Sequence, residues 1–273
     1  MTKDLHTGRH KIDPGTKVNL DKYDPSDTSG FEGKDADEQK ESEKLNEQLR
    51  GLQEMLYAEH KRKVLVVLQG MDSAGKDGVI HRVFLGVNPQ GVQVGHFGIP
   101  TPEELDHDFL WRIHKQTPGK GEMMIFNRSH YEGVLVERVH KMVETGVWQR
   151  RYKEINDFER LLSDDGTVIL KFYLHISKDE QKKRLQARLD DPTKEWKFSI
   201  NDLPERKFWD EYMNAYQDML SQTSTKWAPW YLIPSDHKWY RDLVVSRIIV
   251  KAMEKMDMHY PKLDKDPSTI TIK

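Results

Sequence analysis

The chain has 273 residues, of which 43 are Lys or Arg and 45 are Asp or Glu, and its formal net charge is -2. This length is sufficient for one sizeable α/β domain with a packed core. The charge balance excludes a general polyanion-binding protein, so any phosphate-binding basic group must be local. The sequence contains no cysteine, which excludes thiol catalysis, disulfide scaffolding and cysteine-based zinc sites.

The sequence also lacks the pattern of a membrane or secreted protein. The N-terminal residues include no apolar signal segment, and no later stretch approaches the roughly 20 apolar residues of a membrane span. We therefore expect a cytoplasmic protein that binds neither membranes nor nucleic acid.

The first 36 residues are polar, contain Pro14 and Pro25, and show no sustained apolar period. This composition predicts an extended N-terminal arm, of a kind that can order on a partner subunit. From residue 37 the pattern changes, because leucines recur at positions 45, 49, 52 and 56. Spacings of four, three and four place these side chains on one face of a helix.

Five apolar runs predict the strands of a sheet. They cover residues 64–69, 92–97, 123–126, 168–176 and 231–233, and long helix-compatible segments separate them. This alternation favours an α/β fold with a parallel sheet covered on both faces. We expect a single domain over residues 37–260, a mobile basic cover or lid at about 177–202, and a surface tail at 261–273.

The first strand leads directly into a glycine-rich loop, Gly-Met-Asp-Ser-Ala-Gly-Lys-Asp-Gly, at residues 70–78. In a phosphate-binding loop the glycines let backbone N–H groups face phosphate oxygens, and the following helix adds its positive end. The usual pattern ends in Lys followed by Ser or Thr, whose hydroxyl binds Mg²⁺. Here Asp77 replaces the hydroxyl, so we expect Asp72 to hold the metal. The predicted phosphate-binding residues are Gly70, Ser73, Ala74, Gly75, Lys76, Asp77 and Gly78.

A plainer interpretation of residues 70–78 is a strand-to-helix turn, with Lys76 solvated and Asp72 capping the helix. The strand before the loop and the helix after it are both where phosphate binding requires them, and we therefore favour the functional interpretation.

The end of a second strand carries the sequence Asn-Arg-Ser-His-Tyr-Glu at residues 127–132. In P-loop enzymes such a strand presents an acidic residue to the metal, whereas Asn127 offers only a neutral oxygen. Arg128 is a candidate to stabilise the transferring phosphoryl group, and Asn127 and Glu132 are candidates to contact the acceptor nucleotide. For His130 we favour a structural role, either satisfied or exposed.

With these motifs, residues 24–260 resemble the type 2 polyphosphate kinases. The resemblance rests on the loop at 70–78 and on Phe-Asn-Arg-Ser-His-Tyr-Glu at 126–132. Four shorter matches support it: Phe-Leu-Trp-Arg at 109–112, Trp-Lys-Phe at 196–198, Ala-Pro-Trp-Tyr at 228–231 and Trp-Tyr-Arg at 239–241.

The resemblance implies a P-loop kinase fold similar to that of thymidylate kinase, with a five-stranded parallel sheet and a helical lid. It also implies a Mg²⁺-dependent activity, with Mn²⁺ as a substitute, and a homodimer or homotetramer. Asn127 and Glu132 look like the class III branch, which uses inorganic polyphosphate to phosphorylate both nucleoside mono- and diphosphates. The implied reactions convert AMP to ADP and ADP to ATP reversibly, and extend to guanine nucleotides. The metal would then be shared by Asp72 and Asn127, directly or through water.

A polyphosphate chain carries about one negative charge per phosphate and needs several cationic side chains in series. Besides Lys76 and Arg128, the candidates near the motifs are Arg82, Arg112 and Lys120, for each of which a solvated surface charge is the alternative. On the lid, Arg184 and Arg188 are four residues apart and are expected to share one helix face over the phosphates. Trp196 is predicted either to stack on the acceptor nucleotide or to pin the lid to the body.

Two other functions are compatible with the motifs. One is an ATP-dependent nucleotide kinase on the same fold, and the other is a non-catalytic phosphate-binding interaction protein. The second is less favoured, because Asp72, Lys76, Arg128 and the lid arginines are all present.

Overall fold

The five predicted strands form one parallel sheet in a computed structural model that describes residues 7–31, 35–200 and 202–272. Their order in the sheet is β2-β3-β1-β4-β5, and every pair of neighbours is parallel. The sequence placed each strand to within about one residue at either end, and the predicted α/β class is confirmed. The strands are β1 Lys63–Gln69, β2 Val92–His96, β3 Met123–Asn127, β4 Thr167–His175 and β5 Trp230–Pro234.

Helices cover the sheet. The described α-helices are α1 Asp35–Glu59, α2 Lys76–Val83, α3 Pro102–Leu105, α4 Trp111–His114, α5 Val136–Val139, α6 Thr145–Asp164, α7 Lys178–Leu189, α8 Asp202–Glu205, α9 Trp209–Thr223 and α10 Lys238–Glu254. Short 3₁₀ helices lie at Thr7–His10, Leu20–Lys22, Pro89–Gly91, His130–Val134, Glu195–Lys197, Arg206–Phe208 and Pro267–Thr269.

The leucine stripe of α1 is buried as predicted. Leu45, Leu49 and Leu56 are at most 3% exposed, and α1 packs along α10. Most residues of α10 are buried on every side, which is typical of a helix enclosed between other elements. The two helices therefore form a layer behind the loop that follows β1.

The strand order places the loop and the second motif side by side. β1 lies at the centre, and later strands join on both of its sides. Leu68 pairs with Asn127 across β1 and β3, so both strands end at the same edge of the sheet. In open α/β sheets, ligands bind outside the carboxyl ends of the strands at the point where strand order reverses.

The N-terminal segment 7–31 packs on the body of its own chain. The N–H of Ile12 donates to the carbonyl of Trp230 in β5 (2.9 Å), and the N–H of Leu20 to the side chain of Gln217 in α9 (2.8 Å). Ile12, Val18 and Leu20 are buried. Residues 1–6 and 32–34, which the predicted arm also includes, lie outside the described residues. The division into an arm, one domain and a tail remains a prediction.

The predicted lid contains α7, the 3₁₀ helix Glu195–Lys197 and the start of α8. Its outer part is open to solvent, with Trp196 77% exposed, and Asn201 lies outside the described residues. The tail after residue 260 is exposed throughout the part that is described. Within residues 7–31, 35–200 and 202–272, no helix combines the length and apolar character needed to cross a membrane.

Candidate active site

The loop between β1 and α2 has the backbone shape of an anion cradle. Gly70, Ser73 and Gly75 have φ angles of 153°, 64° and 111°, and such alternation turns successive N–H groups into a concavity. A side chain cannot replace the glycines, because a Cβ at position 70 would lie 2.8 Å from the carbonyl of Leu174. A Cβ at position 75 would lie 1.8 Å from Nη1 of Arg241.

Side chains hold the carbonyl oxygens of residues 70–74 in place. Lys76 Nζ donates to the carbonyls of residues 70 (2.7 Å) and 71 (3.3 Å), and Gln181 Nε2 donates to that of residue 72 (2.9 Å). The guanidinium of Arg184 donates to the carbonyls of residues 73 and 74 (both 3.0 Å), and that of Arg241 also donates to residue 74 (3.1 Å). Because C=O and N–H of a trans peptide point in opposite directions, the N–H groups of residues 73 and 75 point away from Gln181 and the two arginines. Side-chain bonds to its carbonyl groups thus fix the loop on one side, and the N–H groups of residues 73 and 75 on the other side can face an anion.

Lys76 lies at the first position of α2, on the cradle. Burial lowers the pKa of its ammonium group, while the carboxylate of Asp72 opposes that effect. Its hydrogen bonds go to the carbonyls of the loop itself. A bound phosphate would supply a full counter-charge in their place.

Asp77 and Asn127 meet at the position where a P-loop hydroxyl usually binds metal. The amide Nδ2 of Asn127 donates to Oδ1 of Asp77 at 2.7 Å. This bond fixes the orientation of the Asn127 amide, whose Oδ1 remains an acceptor. The sequence assigned the two residues separate roles, and the structure places them as neighbours.

Arg128 connects the second strand end to the loop. Its backbone has a φ of 64°, and its Nη2 donates to Oδ1 of Asp72 at 3.0 Å. Burial acts against the guanidinium charge, but the carboxylates of Glu132 and Asp72 outweigh it and raise the pKa of Arg128. A left-handed backbone at a residue with a long side chain is a strained conformation, and such strain often occurs at functional sites.

Glu132 lies in the first turn of the 3₁₀ helix His130–Val134, which Ser129 caps. Nε2 of Gln69 donates both to Oε1 of Glu132 (3.2 Å) and to Oγ of Ser129 (3.0 Å). Burial raises the pKa of the Glu132 carboxyl, and the nearby charges of Arg128 and Lys76 only partly oppose it. The carboxylate therefore faces the same space as the two cations.

These oxygens suit a magnesium ion that is partly held by its substrate. Among the described residues, no three His, Asp or Glu side chains are grouped closely enough to hold a metal alone. Mg²⁺ is commonly bound by one or two carboxylates together with substrate phosphates and water. Asp72, Asp77 and the amide oxygen of Asn127 fit that requirement.

Three of the predicted polyphosphate and nucleotide contacts have their bonding partners outside residues 70–78. Arg82 is largely exposed, and its Nε lies 3.8 Å from Asp242. Arg112 donates to the carbonyl of Gly98 at 3.0 Å. The indole of Trp196 donates to the carbonyl of Thr193 within the lid.

Lys120 lies at the opposite edge of the sheet from the loop. It precedes β3 and lies beside the start of β1, because the N–H of Gly121 donates to the carbonyl of Arg62. Lys120 lies seven positions before Asn127, which corresponds to about 20 Å along an extended strand. A donor groove that begins at the loop would have to run the full length of the strands to reach this lysine.

The two lid arginines have different surroundings, although both lie on α7. Arg184 is buried, and its guanidinium bonds the loop carbonyls and those of Ser235 (2.6 Å) and Asp236 (2.9 Å). Arg188 is half-buried and donates to the carbonyl of Lys197 at 3.0 Å. The two guanidinium groups therefore contact different parts of the protein, and their joint action over the phosphates remains a prediction. Arg184 supports the loop from behind, whereas Arg188 lies in the outer lid.

The structure adds residues that the sequence analysis did not select. Burial raises the pKa of the Asp202 carboxyl, and repulsion from the charge of Asp72 raises it further. Asp202, at the start of α8, is therefore close enough to the site to interact with Asp72. Burial likewise raises the pKa of the Tyr216 hydroxyl, and the negative charge of Glu132 raises it further. Asp202 lies at the last position of the predicted lid, where no motif marks it. Tyr216 has the spacing of an ordinary core residue on α9, and the sequence offers no signal for its position.

Comparison with known proteins gives consistent matches over nearly the whole chain. The family model for polyphosphate kinase 2 (PPK2) matches residues 32–261. The AMP/ADP-polyphosphate phosphotransferase of Meiothermus ruber is 53% identical over 264 residues, which is 97% of this chain and 99% of that protein. The ADP-polyphosphate phosphotransferase of Rhodopseudomonas palustris is 44% identical over 270 residues, covering 94% of this chain and 93% of that protein.

The fold is also that of a solved structure. The crystal structure of polyphosphate kinase 2 from Arthrobacter aurescens TC1 superposes with a TM-score of 0.92 at 44% identity. The match covers 95% of this chain and 93% of the other.

Proposed function

The chain belongs to the polyphosphate kinase 2 family, and we propose that it transfers phosphoryl groups from inorganic polyphosphate to AMP and ADP. The Meiothermus ruber relative, whose name specifies both acceptors, supports this choice. The observation that carries it is the convergence of the fixed loop, Lys76 and the Asp72–Arg128 pair at one edge of the sheet. Two cations beside a cradle of backbone amides suit the end of a phosphate chain.

The reaction is a direct displacement. A terminal phosphate oxygen of AMP or ADP attacks the end phosphorus of polyphosphate, and the bond from that phosphorus to the bridging oxygen breaks. The nucleotide gains one phosphate, and the polyphosphate chain becomes one phosphate shorter. No covalent intermediate with the protein is needed, and the same geometry serves the reverse direction.

The donor is held by the loop amides of residues 70–78, with Lys76 and Arg128 neutralising the charge on the transferring group. Mg²⁺, for which Mn²⁺ would substitute, would be held by Asp72, Asp77 and Asn127 and would neutralise phosphate oxygens. In this proposal Arg184 is a positioning residue for the loop, and Arg188 is the lid arginine that approaches the phosphates. Lys120 is left out of the donor groove.

The acceptor occupies the side of the site that carries Glu132. Its carboxylate lies near Arg128 and Lys76. Through a metal ion or water it can position the shorter acceptor, AMP, whose phosphate would otherwise leave a gap before the donor. We propose Glu132 as the residue that extends acceptor use from diphosphates to monophosphates. Use of guanine nucleotides, stacking by Trp196, and assembly as a homodimer or homotetramer remain predictions.

The test is a direct assay. Purified protein is incubated with Mg²⁺, polyphosphate and AMP, ADP, GMP or GDP separately, and the nucleotides are separated by chromatography. We expect ADP and then ATP from AMP, and loss of about two orders of magnitude or more in rate for Lys76→Met. Lys183→Met, which removes an exposed lysine from α7, is the matched control and should retain the wild-type rate.

Three outcomes would change the proposal. Product from ADP but not from AMP would remove the role given to Glu132 and leave a diphosphate kinase. Activity with ATP as donor and none with polyphosphate would indicate the ATP-dependent alternative. Absence of transfer with either donor would favour a phosphate-binding protein without catalytic activity.

A further inference from the structure

A buried polar cluster lies beneath the 3₁₀ helix that carries Glu132. It consists of Lys171 on β4, Glu159 on α6, and His130 and Tyr131 on the 3₁₀ helix, and none of the four is more than 2% exposed. None of the phosphate-binding or metal-binding roles described above uses this cluster. Burying an ion pair in a protein core is costly unless every donor and acceptor is matched.

The hydrogen bonds of the cluster are almost complete. Nζ of Lys171 donates to Oε2 of Glu159 (2.6 Å), to the hydroxyl of Tyr131 (2.8 Å) and to the carbonyl of Thr223 (2.7 Å). The hydroxyl of Tyr131 in turn donates to Oε1 of Glu159 at 2.7 Å. All three ammonium protons are therefore used, and both carboxylate oxygens are occupied.

His130 completes the cluster from the other side. Its Nε2 lies 3.2 Å from Oε1 of Glu159, and burial lowers the pKa of the ring. A neutral ring with its proton on Nε2 donates to the carboxylate, and this leaves a buried Nδ1 without a hydrogen-bond partner. An unmatched buried polar atom is unusual. Here the unmatched Nδ1 accompanies the bond from Nε2 to Glu159, which fixes the orientation of His130, two positions before Glu132.

The cluster anchors the two residues that precede Glu132. Residues 130 and 131 are attached to the sheet and to α6 through their side chains, and they directly precede Glu132 in the same short helix. Glu132 itself receives one bond from Gln69 at its carboxylate (3.2 Å), and its N–H donates to the carbonyl of Ser129 (3.1 Å). The position of its carboxylate thus depends on the anchoring of the two residues before it.

We infer that the Lys171–Glu159 ion pair, acting through Tyr131 and His130, positions Glu132 for monophosphate acceptors. This inference rests on the proposed function and names residues that act on its specificity without touching substrate. Tyr131 is the best residue of the cluster for a test, because Tyr131→Phe removes one hydroxyl and leaves the ring in place. The variant leaves Lys171 without one acceptor and Glu159 without one donor.

The experiment is a double-mutant cycle between Tyr131→Phe and Glu132→Gln, with AMP and ADP as separate acceptors. For Tyr131→Phe we expect kcat/KM with AMP to fall by about tenfold or more, because small displacements of a positioning group have large kinetic effects. With ADP we expect a fall of less than about threefold, since this acceptor does not depend on Glu132. In the Glu132→Gln background, Tyr131→Phe should have almost no further effect on AMP.

Tyr240→Phe is the matched control. Tyr240 is also fully buried, and its hydroxyl bonds a buried histidine, His10, at 3.2 Å, but it lies on α10 outside the cluster. It should lower the melting temperature without changing the ratio of AMP to ADP activity. If Tyr131→Phe does not fold, Lys171→Met combined with Glu159→Gln removes both charges at nearly constant volume and tests the same ratio.

The outcomes separate this inference from the function on which it rests. Wild-type protein that does not phosphorylate AMP would refute the proposed function. If wild-type protein uses AMP, equal losses with AMP and ADP in Tyr131→Phe would overturn the inference. The inference would also be overturned if the losses of kcat/KM with AMP caused by Tyr131→Phe and by Glu132→Gln multiplied in the double variant. The cluster would then be a structural element without influence on Glu132.

Discussion

Glu132 illustrates how a residue that is proposed to position the acceptor can lower the stability of the fold. Burial raises the pKa of its carboxyl above the ordinary value of 4.5. Folding therefore favours the protonated form, and the ionised form is less stable in the folded protein than in the unfolded chain. This unfavourable contribution is absent well below the unfolded pKa, develops as pH rises from there through the raised folded pKa, and is complete above it.

Glu132→Gln is accordingly expected to raise the melting temperature at pH 8, because the amide carries no charge to bury. The gain over wild type should shrink as the pH is lowered through the raised pKa and disappear well below the ordinary value of 4.5, where wild-type Glu132 is neutral in both the folded and the unfolded chain. Thermal unfolding followed by circular dichroism at several pH values measures the difference. Glu154→Gln, at an exposed position of α6, is the control.

A melting temperature of Glu132→Gln that is lower than wild type at pH 8 would contradict this account. It would mean that the ionised carboxylate stabilises the fold through Arg128 and Lys76 more than burial destabilises it.

The sequence located single residues well where the backbone dictates their position. Asp72, Lys76, Arg128 and Glu132 follow the ends of two neighbouring parallel strands, and such ends necessarily meet. Lys120 could have been excluded by the same reasoning, because a residue that precedes β3 must lie at the opposite edge. The Asp77–Asn127 bond could not be predicted, since it depends on side-chain rotamers across two elements.

Among the elements, α7 connects the lid region to the phosphate loop. Gln181 and Arg184, one turn apart on this helix, bond the carbonyls of residues 72–74. Arg206 in a following 3₁₀ helix donates to the side chain of Gln181. The loop therefore takes its shape partly from the segment that the sequence analysis assigned to the lid.

Arg184→Gln should weaken the donor side of the site. The carbonyls of Ser73 and Ser235 lose a charged donor, at a cost of about 1–3 kcal/mol of stability. We expect kcat/KM for polyphosphate to fall by about tenfold or more, with KM for AMP nearly unchanged. Steady-state kinetics with each substrate varied in turn measures both, and Lys182→Gln, an exposed position of the same helix, is the control.

A different result would restore the role that the sequence suggested for this arginine. If Arg184→Gln lost as much activity as Lys76→Met and kept the wild-type melting temperature, Arg184 would contact the reacting phosphates directly. The spacing of Arg184 and Arg188 indicated one helix face correctly. It could not indicate that the nearer acceptors for Arg184 are carbonyls of the loop and of the segment after β5.

The elements themselves followed from the sequence where burial imposes a period. Apolar runs predicted all five strands, and the leucine stripe predicted α1. The short helices α3 and α4 were not predicted, because a single turn of helix carries no period that a sequence can reveal.

At the scale of the whole molecule, residues 7–31 of the N-terminal segment pack against the body of the chain. Its backbone pairs with β5 and α9, and Ile12, Val18 and Leu20 belong to the same buried cluster as the sheet. The sequence suggested an extended arm because three buried apolar residues among many polar ones produce no regular pattern. The contacts depend on hydrogen bonds to residues more than 190 positions away, such as Leu20 to Gln217, which local sequence cannot encode.

If the segment is part of one cooperative unit, a cavity within it should lower the stability of the entire protein. Leu20→Ala is expected to reduce the free energy of unfolding by about 3 kcal/mol, as for a leucine in the central core. Leu263→Ala, in the tail at a position that is 67% exposed, should change it by less than about 0.5 kcal/mol. Urea unfolding followed by tryptophan fluorescence and by circular dichroism measures both variants. A transition for Leu20→Ala at the wild-type urea concentration would show that the segment can detach without unfolding the sheet, whereas a shifted transition that coincides for both probes would show that segment and sheet unfold together.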